Sequence, residues 1–437
     1  MIRAERKLIA CHDCGHVYQN PECPEGSQME CAHCGHLMRT RHVNWEAKVA
    51  SLTLAGIVLF VLANTFPFLG LEQAGLVQQS NLISGVIALI ERQQFLLGAL
   101  VFITIFLFPL LELLGLAYIL LFRMVDIRAP FLGQVLHLLH LSRPWSMLEI
   151  FLLGVLVSSI KLAGMATILP GVGLYAFLAL VVVLIACHLY LDRETIWHWL
   201  DHHNYYAMED YSAEAADPDN QLHRNLFACH CCDALIDDVV LGGDNECPRC
   251  DNPVYPRWPR SVQKTTALLI GATVLYIPSN TLPIMQTTNL GSTVSDTIFS
   301  GVVHLAEAGD LPIALLVFVA SIVIPIAKLL VLAYLLWNVS IRCSADPKQM
   351  TRLFKLTEFV GRWSMIDVFV VTILVALVQF GLLANVEPGA ALLSFAGVVV
   401  LTMLAAETFD SRLIWDAHYS NGNTSENSPP ATFLANA

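Results

Sequence analysis

Residues 11–34 read CHDCGHVYQNPECPEGSQMECAHC, and residues 229–250 read CHCCDALIDDVVLGGDNECPRC. Each stretch holds two Cys-x-x-Cys pairs and stands just ahead of a long hydrophobic block. The paired cysteines are Cys11, Cys14, Cys31 and Cys34 in the first stretch and Cys229, Cys232, Cys247 and Cys250 in the second. The chain therefore contains two copies of one unit.

The spacing of these cysteines predicts a metal centre in each copy. A Cys-x-x-Cys turn presents two thiolates, and a second such turn completes a tetrahedral four-sulfur cage without a large core. We expect each quartet to be a zinc ribbon, with two structural zinc ions per chain. Disulfides or a thioredoxin-like redox pair are the alternative, but they require an oxidising compartment or a βαβ setting, which the sequence does not indicate.

The composition indicates a polytopic α-helical membrane protein. Of the 437 residues, 56% are hydrophobic and only 14% are charged. Eight apolar stretches reach the length that crosses a bilayer. They run over 49–69, 95–122, 146–166, 173–191, 265–285, 311–337, 364–383 and 390–406. The formal net charge of −12 argues against a nucleic-acid partner.

The repetition extends through the hydrophobic blocks. The motif Asn64-Thr-Phe-Pro67 returns as Asn280-Thr-Leu-Pro283, and Pro109 has a matched proline later in the chain. Each unit is thus a zinc ribbon followed by four transmembrane helices, eight helices in total. An even helix count makes the two pseudo-symmetric repeats parallel, with a twofold axis along the membrane normal.

The expected domains follow from this repeat. They are zinc ribbon 1 at 1–44, membrane repeat 1 at 45–200, a cytoplasmic linker at 201–228, zinc ribbon 2 at 229–260, membrane repeat 2 at 261–416 and a disordered tail at 417–437. Nearly all basic residues of the loops fall on the side of both termini, which predicts that the termini, ribbons and the loops at 123–143 and 338–362 are cytoplasmic. On the other side, segments 70–94 and 286–310 predict a short layer of strand and helix.

Ionisable residues inside the apolar helices indicate where a transport site lies. Burying one charge alone is expensive, so we expect Lys328 and Asp367 to pair with each other. The candidate transport cluster is Ser321, Lys328, Ser364, Asp367 and Thr402, and its first-half counterparts are Glu112 and Glu149. A functional polar pocket and a purely structural ion pair both fit this pattern. Because the first half has two acidic residues, Glu112 and Glu149, at the positions of Lys328 and Asp367, we expect that half to be mainly a scaffold.

Two matched prolines, Pro109 and Pro325, interrupt apolar stretches in the two halves. A proline inside a helix removes one hydrogen bond and kinks the span. This kink either opens a cavity or only tilts the helix, and the sequence leaves both possibilities open.

Several of these features together resemble a known family. The paired ribbons, the Asn-Thr-x-Pro helix ends, the run RWSMIDVF at 362–369 and the run FDSRLIWD at 409–416 are similar to the paraquat-inducible protein A family, including its LetA branch. The resemblance covers nearly the full length. It implies an inner-membrane protein of double-membraned bacteria, partnered with an MCE-domain tunnel protein and moving phospholipid between the membranes. It also places the family's polar membrane cluster at the five second-half residues named above.

The leading hypothesis is therefore a non-enzymatic, multi-pass inner-membrane subunit of an envelope lipid transport system. The alternative is a membrane-anchored sensor of metal or redox stress, in which the helices only anchor the ribbons. Eight helices exceed what an anchor requires. A membrane enzyme ranks third, because no cluster of His, Asp or Ser near a helix end has the spacing of a hydrolase.

Overall fold

The structure is a computed structural model of the chain. It describes residues 8–19, 26–40, 42–73, 76–127, 130–163, 167–192, 195–197, 199, 226–237, 245–247, 249–250, 252–289, 292–307, 309, 311–341, 346–378 and 384–421.

The first unit begins with a ribbon of two hairpins. Strand β1 (Leu8–Ala10) pairs with β2 (Val17–Gln19), and β3 (Gln28–Glu30) pairs with β4 (Leu37–Thr40). The membrane repeat that follows consists of α1 (Trp45–Thr65), β5 (Leu69–Gln73), β6 (Leu76–Ser80), α2 (Ser84–Glu91), α3 (Phe95–Phe102), α4 (Phe108–Val125), α5 (Leu132–Ser142), α6 (Leu148–Ala163), β7 (Thr167–Pro170) and α7 (Val172–Tyr190).

The second unit repeats this order. Its ribbon contains the hairpin of β8 (Leu226–Ala228) and β9 (Leu235–Asp237). Its membrane repeat consists of α8 (Ser261–Thr281), β10 (Met285–Asn289), β11 (Ser292–Asp296), α9 (Ile298–Glu307), α10 (Leu311–Phe318), α11 (Ile324–Ile341), α12 (Pro347–Gly361), α13 (Ile366–Leu377), β12 (Ala384–Pro388) and α14 (Ala390–Thr408), and helix α15 (Arg412–Asn421) closes the described chain.

Helices α1 to α7 thus correspond in order to α8 to α14. In each half the first and last of these helices pack along each other, α1 on α7 and α8 on α14. Each half also has a three-stranded antiparallel sheet, in the order β6-β5-β7 and β11-β10-β12. We name the side of the molecule that carries these sheets the sheet side, and the side that carries the ribbons the ribbon side. The predicted layer of strand and helix in segments 70–94 and 286–310 is confirmed in its secondary structure.

Within the described residues, seven helical runs are long and apolar enough to cross a membrane. They are Trp45–Thr65, Phe95–Val125, Leu132–Leu162, Val172–Tyr190, Leu311–Ile341, Pro347–Leu377 and Ala390–Thr408. The eighth predicted span is α8, which has 21 residues but is less apolar because Gln263, Lys264 and two threonines occupy its first turns. Helix α8 packs on α14 as α1 packs on α7, so α8 is the counterpart of the first span. Each half therefore has four matched spans among the described residues, and the predicted fold class is confirmed.

The Asn-Thr-x-Pro motifs end the first helix of each half, as the sequence predicts. Helices α1 and α8 both stop two residues before the proline, because a residue that precedes proline is disfavoured in the helical conformation. The last helix of each half starts against this turn. A Cβ atom at Gly171 would overlap the carbonyl oxygen of Pro67, and one at Gly389 would overlap that of Pro283. Glycine is therefore required at both positions.

The matched prolines follow a widened helical turn. A π-helical turn, Ile103–Leu107, joins α3 to α4 just before Pro109. A second, Val319–Val323, joins α10 to α11 just before Pro325. In an α-helix a proline ring clashes with the carbonyl group four residues earlier, and proline has no amide proton to bond to that carbonyl group. A π-helical turn inserts one extra residue before the proline, which removes the clash and the need for that hydrogen bond.

Two helices lie in segments that the sequence assigned to loops. Helix α5 occupies part of the loop predicted at 123–143, and α12 fills much of the loop predicted at 338–362. Asp346 caps α12 by accepting a hydrogen bond from the backbone amide two residues later, at 3.0 Å. Met350 and Phe354, one turn apart on α12, are buried. Helix α12 was missed because its polar content masks one apolar stripe.

Two domain boundaries in the structure differ from the predicted ones. The second ribbon begins at Leu226 with β8, three residues before its first cysteine. The tail predicted from 417 is helical as far as Asn421, because α15 buries Ile414 and Trp415 in the core of the second half. The rest of the predicted linker, 201–225, and of the predicted tail, 422–437, lies outside the described residues.

The two halves meet where α6 crosses α13. A Cβ atom at Gly154 of α6 would lie 3.0 Å from the Cβ atom of Phe369, so the helix backbones approach closely. The rings of Phe151 and Phe369 are 5.6 Å apart, and the Ser158 hydroxyl donates to the carbonyl oxygen of Val370 at 3.3 Å. Helix α13 is buried along its whole length. It is therefore the central helix of the molecule.

Candidate metal centres and polar membrane cluster

Each predicted cysteine quartet converges in space. In the first ribbon the Sγ atoms of Cys11 and Cys34 are 3.5 Å apart, and those of Cys14 and Cys31 are 3.7 Å apart. In the second ribbon the matching distances are 3.6 Å for Cys229 to Cys250 and 3.5 Å for Cys232 to Cys247. All four sulfur atoms of a quartet lie within 4.8 Å of one another.

The knuckle turns hold the thiols by backbone hydrogen bonds. The amide of Cys11 donates to the carbonyl oxygen of His16 at 2.9 Å, and the amide of Gly15 donates back to that of Cys11 at 2.8 Å. This turn requires a left-handed residue after the second cysteine, and Gly15 has a φ of +72°. Gly35 and Asp233 adopt the same conformation in two of the other knuckles.

These distances fit a metal ion better than a disulfide. Four thiolates at about 2.3 Å from a tetrahedral zinc ion stand roughly 3.8 Å apart, close to the observed separations. A disulfide needs its sulfur atoms at about 2.05 Å, and none of the eight quartet cysteines forms a disulfide. The quartets can therefore hold one soft metal ion each, and four protein ligands leave no open position for chemistry on that ion.

The ribbons pack on the opposite halves of the molecule. Ribbon 1 contacts the second half, where Asp13 forms an ion pair with Lys355 of α12 and the ring of His33 lies 4.4 Å from that of Trp415. The cysteines of ribbon 2 share a buried cluster with α5 and with Trp197 of the first half. Each ribbon thus ties its own half to the other one.

A buried ion pair anchors the end of the second half. The guanidinium group of Arg412 donates two hydrogen bonds to the carboxylate of Asp410, both at 2.9 Å. The Asp410 carboxylate also accepts from the backbone amide of Trp258 at 3.2 Å, which joins it to the start of α8. Burial of Asp410 opposes its charge, but the charge of Arg412 prevails and lowers the pKa of Asp410 below its ordinary value.

We expect Asp410→Asn to destabilise the protein by about 3–5 kcal/mol at neutral pH, because Arg412 would remain buried without a counter-charge. The lowered pKa makes this stabilisation complete above about pH 4 and removes it as the pH falls through the pKa of folded Asp410. Thermal unfolding of the purified chain in detergent across this pH range measures the effect.

The control for this anchor is Glu46→Gln, which removes an exposed ion pair with Arg123. It should change the free energy of unfolding by less than about 0.5 kcal/mol. Equal melting temperatures for Asp410→Asn and the unchanged chain at neutral pH would contradict the role of Asp410.

The five predicted cluster residues lie on elements that pack together in the second half. Ser321 is in the π turn, Lys328 on α11, Asp367 on α13 and Thr402 on α14, while Ser364 lies in the 3₁₀ turn that precedes α13. The π turn contacts both the 3₁₀ turn and α13. All five side chains are buried.

The expected ion pair between Lys328 and Asp367 does not form. Lys328 has no ion-pair partner among the described residues, and its amine lies against the backbone at the end of α12, where a Cβ atom at Gly361 would be 2.6 Å from Nζ. The Asp367 carboxylate instead interacts electrostatically with Lys161, a residue of the first half. Helical spacing indicated that both residues are buried but could not give their distance across two helices.

The three hydroxyl groups of the cluster differ in their partners. Thr402 donates to the carbonyl oxygen of Val399 on its own helix at 3.0 Å. Ser321 lies beside the Asp367 carboxylate but outside hydrogen-bond geometry. The Oγ atoms of Ser321 and Ser364 and the Oδ2 atom of Asp367 are buried without a hydrogen-bond partner in the described part of the chain. Three polar atoms without a described partner therefore lie on elements that pack together in the second half.

The first half is built differently at the matched positions. Glu112 is buried and forms an ion pair with His188 of α7. Glu149, the counterpart of Asp367, is exposed. Sequence reasoning missed His188, because a single histidine in an apolar helix has no motif, although a buried Glu112 does require a partner.

These features define a class of protein: a multi-pass membrane protein of two parallel repeats, each with a four-thiol site that can hold a metal ion. Its second half also contains a group of buried polar atoms that have no hydrogen-bond partner among the described residues. The sequence profile of the paraquat-inducible protein A family matches residues 47–201 and 262–419, which are the two membrane repeats. The chain belongs to this family, as its motifs predict.

Relatives in this family are similar over nearly their whole length. The intermembrane transport protein PqiA of Escherichia coli strain K12 is 33% identical over 415 residues, covering 94% of this chain and 96% of that protein. The lipophilic envelope-spanning tunnel protein A of the same strain is 30% identical over 414 residues, covering 94% and 91%. A probable intermembrane transport protein of Haemophilus influenzae is 26% identical over 417 residues, covering 94% and 96%. No solved structure gives a significant match.

Proposed function

We propose that the chain is the inner-membrane subunit of an envelope lipid transport system. It moves or loads phospholipid between the inner membrane and an MCE-domain tunnel protein, and it acts without being an enzyme. Two kinds of support exist. The relatives are named for intermembrane transport and for an envelope-spanning tunnel, and the membrane region contains a site that suits a transported polar group.

The observation that carries this proposal is the set of unsatisfied polar atoms inside the second half. An unpaired buried polar group costs about 1–3 kcal/mol, so a protein that only needed stability would place apolar residues there. Ser321, Ser364, Asp367 and the unpaired amine of Lys328 supply donors and an acceptor within one apolar region. These groups are suited to a headgroup or a proton that enters and leaves during transport.

The metal centres have a structural role in this proposal. Each quartet holds one zinc ion, which closes the ribbon and fixes the surface that packs on the opposite half. Two zinc ions per chain are expected.

The proposal places the ribbon side in the cytoplasm and the sheet side outside the inner membrane. We expect Ser292→Cys, in β11 on the sheet side, to react with a membrane-impermeant maleimide added to spheroplasts. The matched control is Val43→Cys, exposed just before α1 on the ribbon side, which should react only after permeabilisation. Protection of Ser292→Cys until permeabilisation would reverse the topology.

The test of function is the set of molecules that leave the membrane with the chain. The full-length protein, extracted in mild detergent, should carry phospholipid and an MCE-domain protein. It should also restore detergent resistance to a strain that lacks its own envelope lipid transport systems. Recovery of metal alone, without lipid or such a partner, would contradict the proposal and favour a sensor.

A further inference from the structure

The two halves differ where a short helix follows the sheet. Gly85 of α2 and Gly301 of α9 are matched by the repeat. A Cβ atom at Gly85 would lie 2.9 Å from Cγ2 of Thr372, because α2 packs tightly on the central helix α13. At Gly301 no atom of the described residues lies within 4 Å of the same position. At Gly301, therefore, α9 is open where the matched part of α2 is packed.

A second matched pair shows the same difference. Ala88 of α2 is buried, whereas His304 at the matched position of α9 has 62% of its side chain exposed. The end of α2 is also fastened to the other half, since Arg92 donates to the carbonyl oxygen of Val386 at 2.7 Å and to Oδ1 of Asn385 at 2.9 Å. By the twofold relation of the halves, the open face of α9 is directed at α6. In the described residues α9 makes no comparable packing with α6.

Charged groups of opposite sign lie on the two elements that border this opening. Lys161 is in the last turn of α6, is half-buried and forms no ion pair with a described residue. Its ammonium group feels the charges of Asp367 and Asp296. Asp296 ends β11 directly before α9, has only 14% of its side chain exposed, and contacts His304 at 3.7 Å. Deeper along α9, Val302 and Leu305 line the helix with apolar surface against the core.

We propose that the opening between α9 and α6 holds one phospholipid whose headgroup carries both a phosphate and an ammonium group. The phosphate contacts Lys161, the ammonium group contacts Asp296, and an acyl chain lies along the Gly301 face of α9. The inference rests on the proposed function and names the lipid class. Charge decides that class, because a purely anionic headgroup would meet one amine and two carboxylates, whereas a zwitterion matches both signs.

The test uses the full-length chain in vesicles of phosphatidylethanolamine and phosphatidylglycerol, with a photoactivatable acyl-chain analogue of one lipid at a time. Peptides labelled by the probe are identified by mass spectrometry. The phosphatidylethanolamine probe should label residues 298–307 more strongly than the phosphatidylglycerol probe. Asp296→Asn should reduce the difference between the two probes by about tenfold or more, the effect of one lost charge-assisted hydrogen bond.

A pair of variants on α9 separates the opening from general contact with the bilayer. Gly301→Leu fills the open face and should lower labelling by the phosphatidylethanolamine probe by about fivefold or more. Val303→Leu, on the exposed face of the same helix, should leave the labelling unchanged. Because no described residue has an atom within 4 Å of a Cβ at Gly301, the larger side chain should not prevent folding.

Several outcomes would overturn the proposal. The first is equal labelling by both probes with no response to Asp296→Asn. The second is labelling that Gly301→Leu does not change. The third is a photoreactive residue introduced at Gly301 that captures α6 or another polypeptide in place of lipid. The proposed function fails by a different readout, namely an unchanged chain that does not restore detergent resistance in cells.

Discussion

Replacing Cys229 by serine should empty the second metal centre and remove most of the chain from the membrane fraction. Zinc bound to four thiolates contributes roughly 10–16 kcal/mol to the folding of small ribbons, which exceeds the stability that two short strands provide. The purified variant should carry about one metal ion per chain where the unchanged protein carries about two. Elemental analysis of purified protein and immunoblots of membranes measure both effects.

The packing of each ribbon on the opposite half predicts where the damage appears. Ribbon 2 covers Leu132 and Leu136 of α5 together with Trp197, so its loss should expose the ribbon side of the first half. The corresponding variant of ribbon 1, Cys11→Ser, should expose α12 and Trp415 of the second half. Limited proteolysis with mapping of the cleavage sites distinguishes the two variants.

The control is Cys231→Ser, which changes a neighbouring thiol outside the quartet in the same turn. It should keep both metal ions and normal abundance. Loss of metal from Cys231→Ser, or two metal ions in Cys229→Ser, would show that the quartet is assigned wrongly. Cleavage of each variant in the half that follows its own ribbon would contradict the packing of each ribbon on the opposite half.

Local and repeated patterns made much of the fold predictable. The cysteine quartets depend on turn chemistry within a few residues, and the Asn-Thr-x-Pro helix ends depend on a single proline each. Because the sequence repeats, the eight-helix order and the matched elements could be aligned from the amino acids alone. The interior position of Ser321, Lys328 and Asp367 followed from their placement in apolar stretches.

Contacts between distant elements were not predictable in this way. A repeat specifies how each ribbon folds but not which half it packs on, so the crossed arrangement has no sequence signal. Lys328 and Asp367 are both buried but lie on different helices. No local pattern encodes how two distant helices face each other, so the absence of this ion pair was not predictable. The Glu112–His188 pair was missed for the same reason. The open face at Gly301 emerges only when matched positions are compared in space.

Lys328→Met should leave the chain as abundant in the membrane as the unchanged protein and abolish its transport function. We expect normal abundance because Lys328 has no ion-pair partner among the described residues. Removing one member of a true buried pair costs about 3–5 kcal/mol, whereas removing an unpaired buried amine relieves a desolvation cost. Abundance should therefore change by less than about twofold, equivalent to under 0.5 kcal/mol. Immunoblots of membranes and detergent sensitivity of a strain without redundant transport systems measure abundance and function.

Asp367→Leu and the double variant complete the test, and Glu149→Gln is the matched control. If the two charges only held helices together, each single variant would be scarce and the double variant would recover. In the observed arrangement the two charges do not pair with each other, and in the proposed function they belong to one transport site. The double variant should therefore insert stably and remain inactive. Glu149→Gln changes the exposed counterpart of Asp367 and should preserve both abundance and resistance. Normal detergent resistance in the double variant would refute a transport role for this cluster, because a site that moves a headgroup or a proton cannot lose both of its ionisable groups and still work.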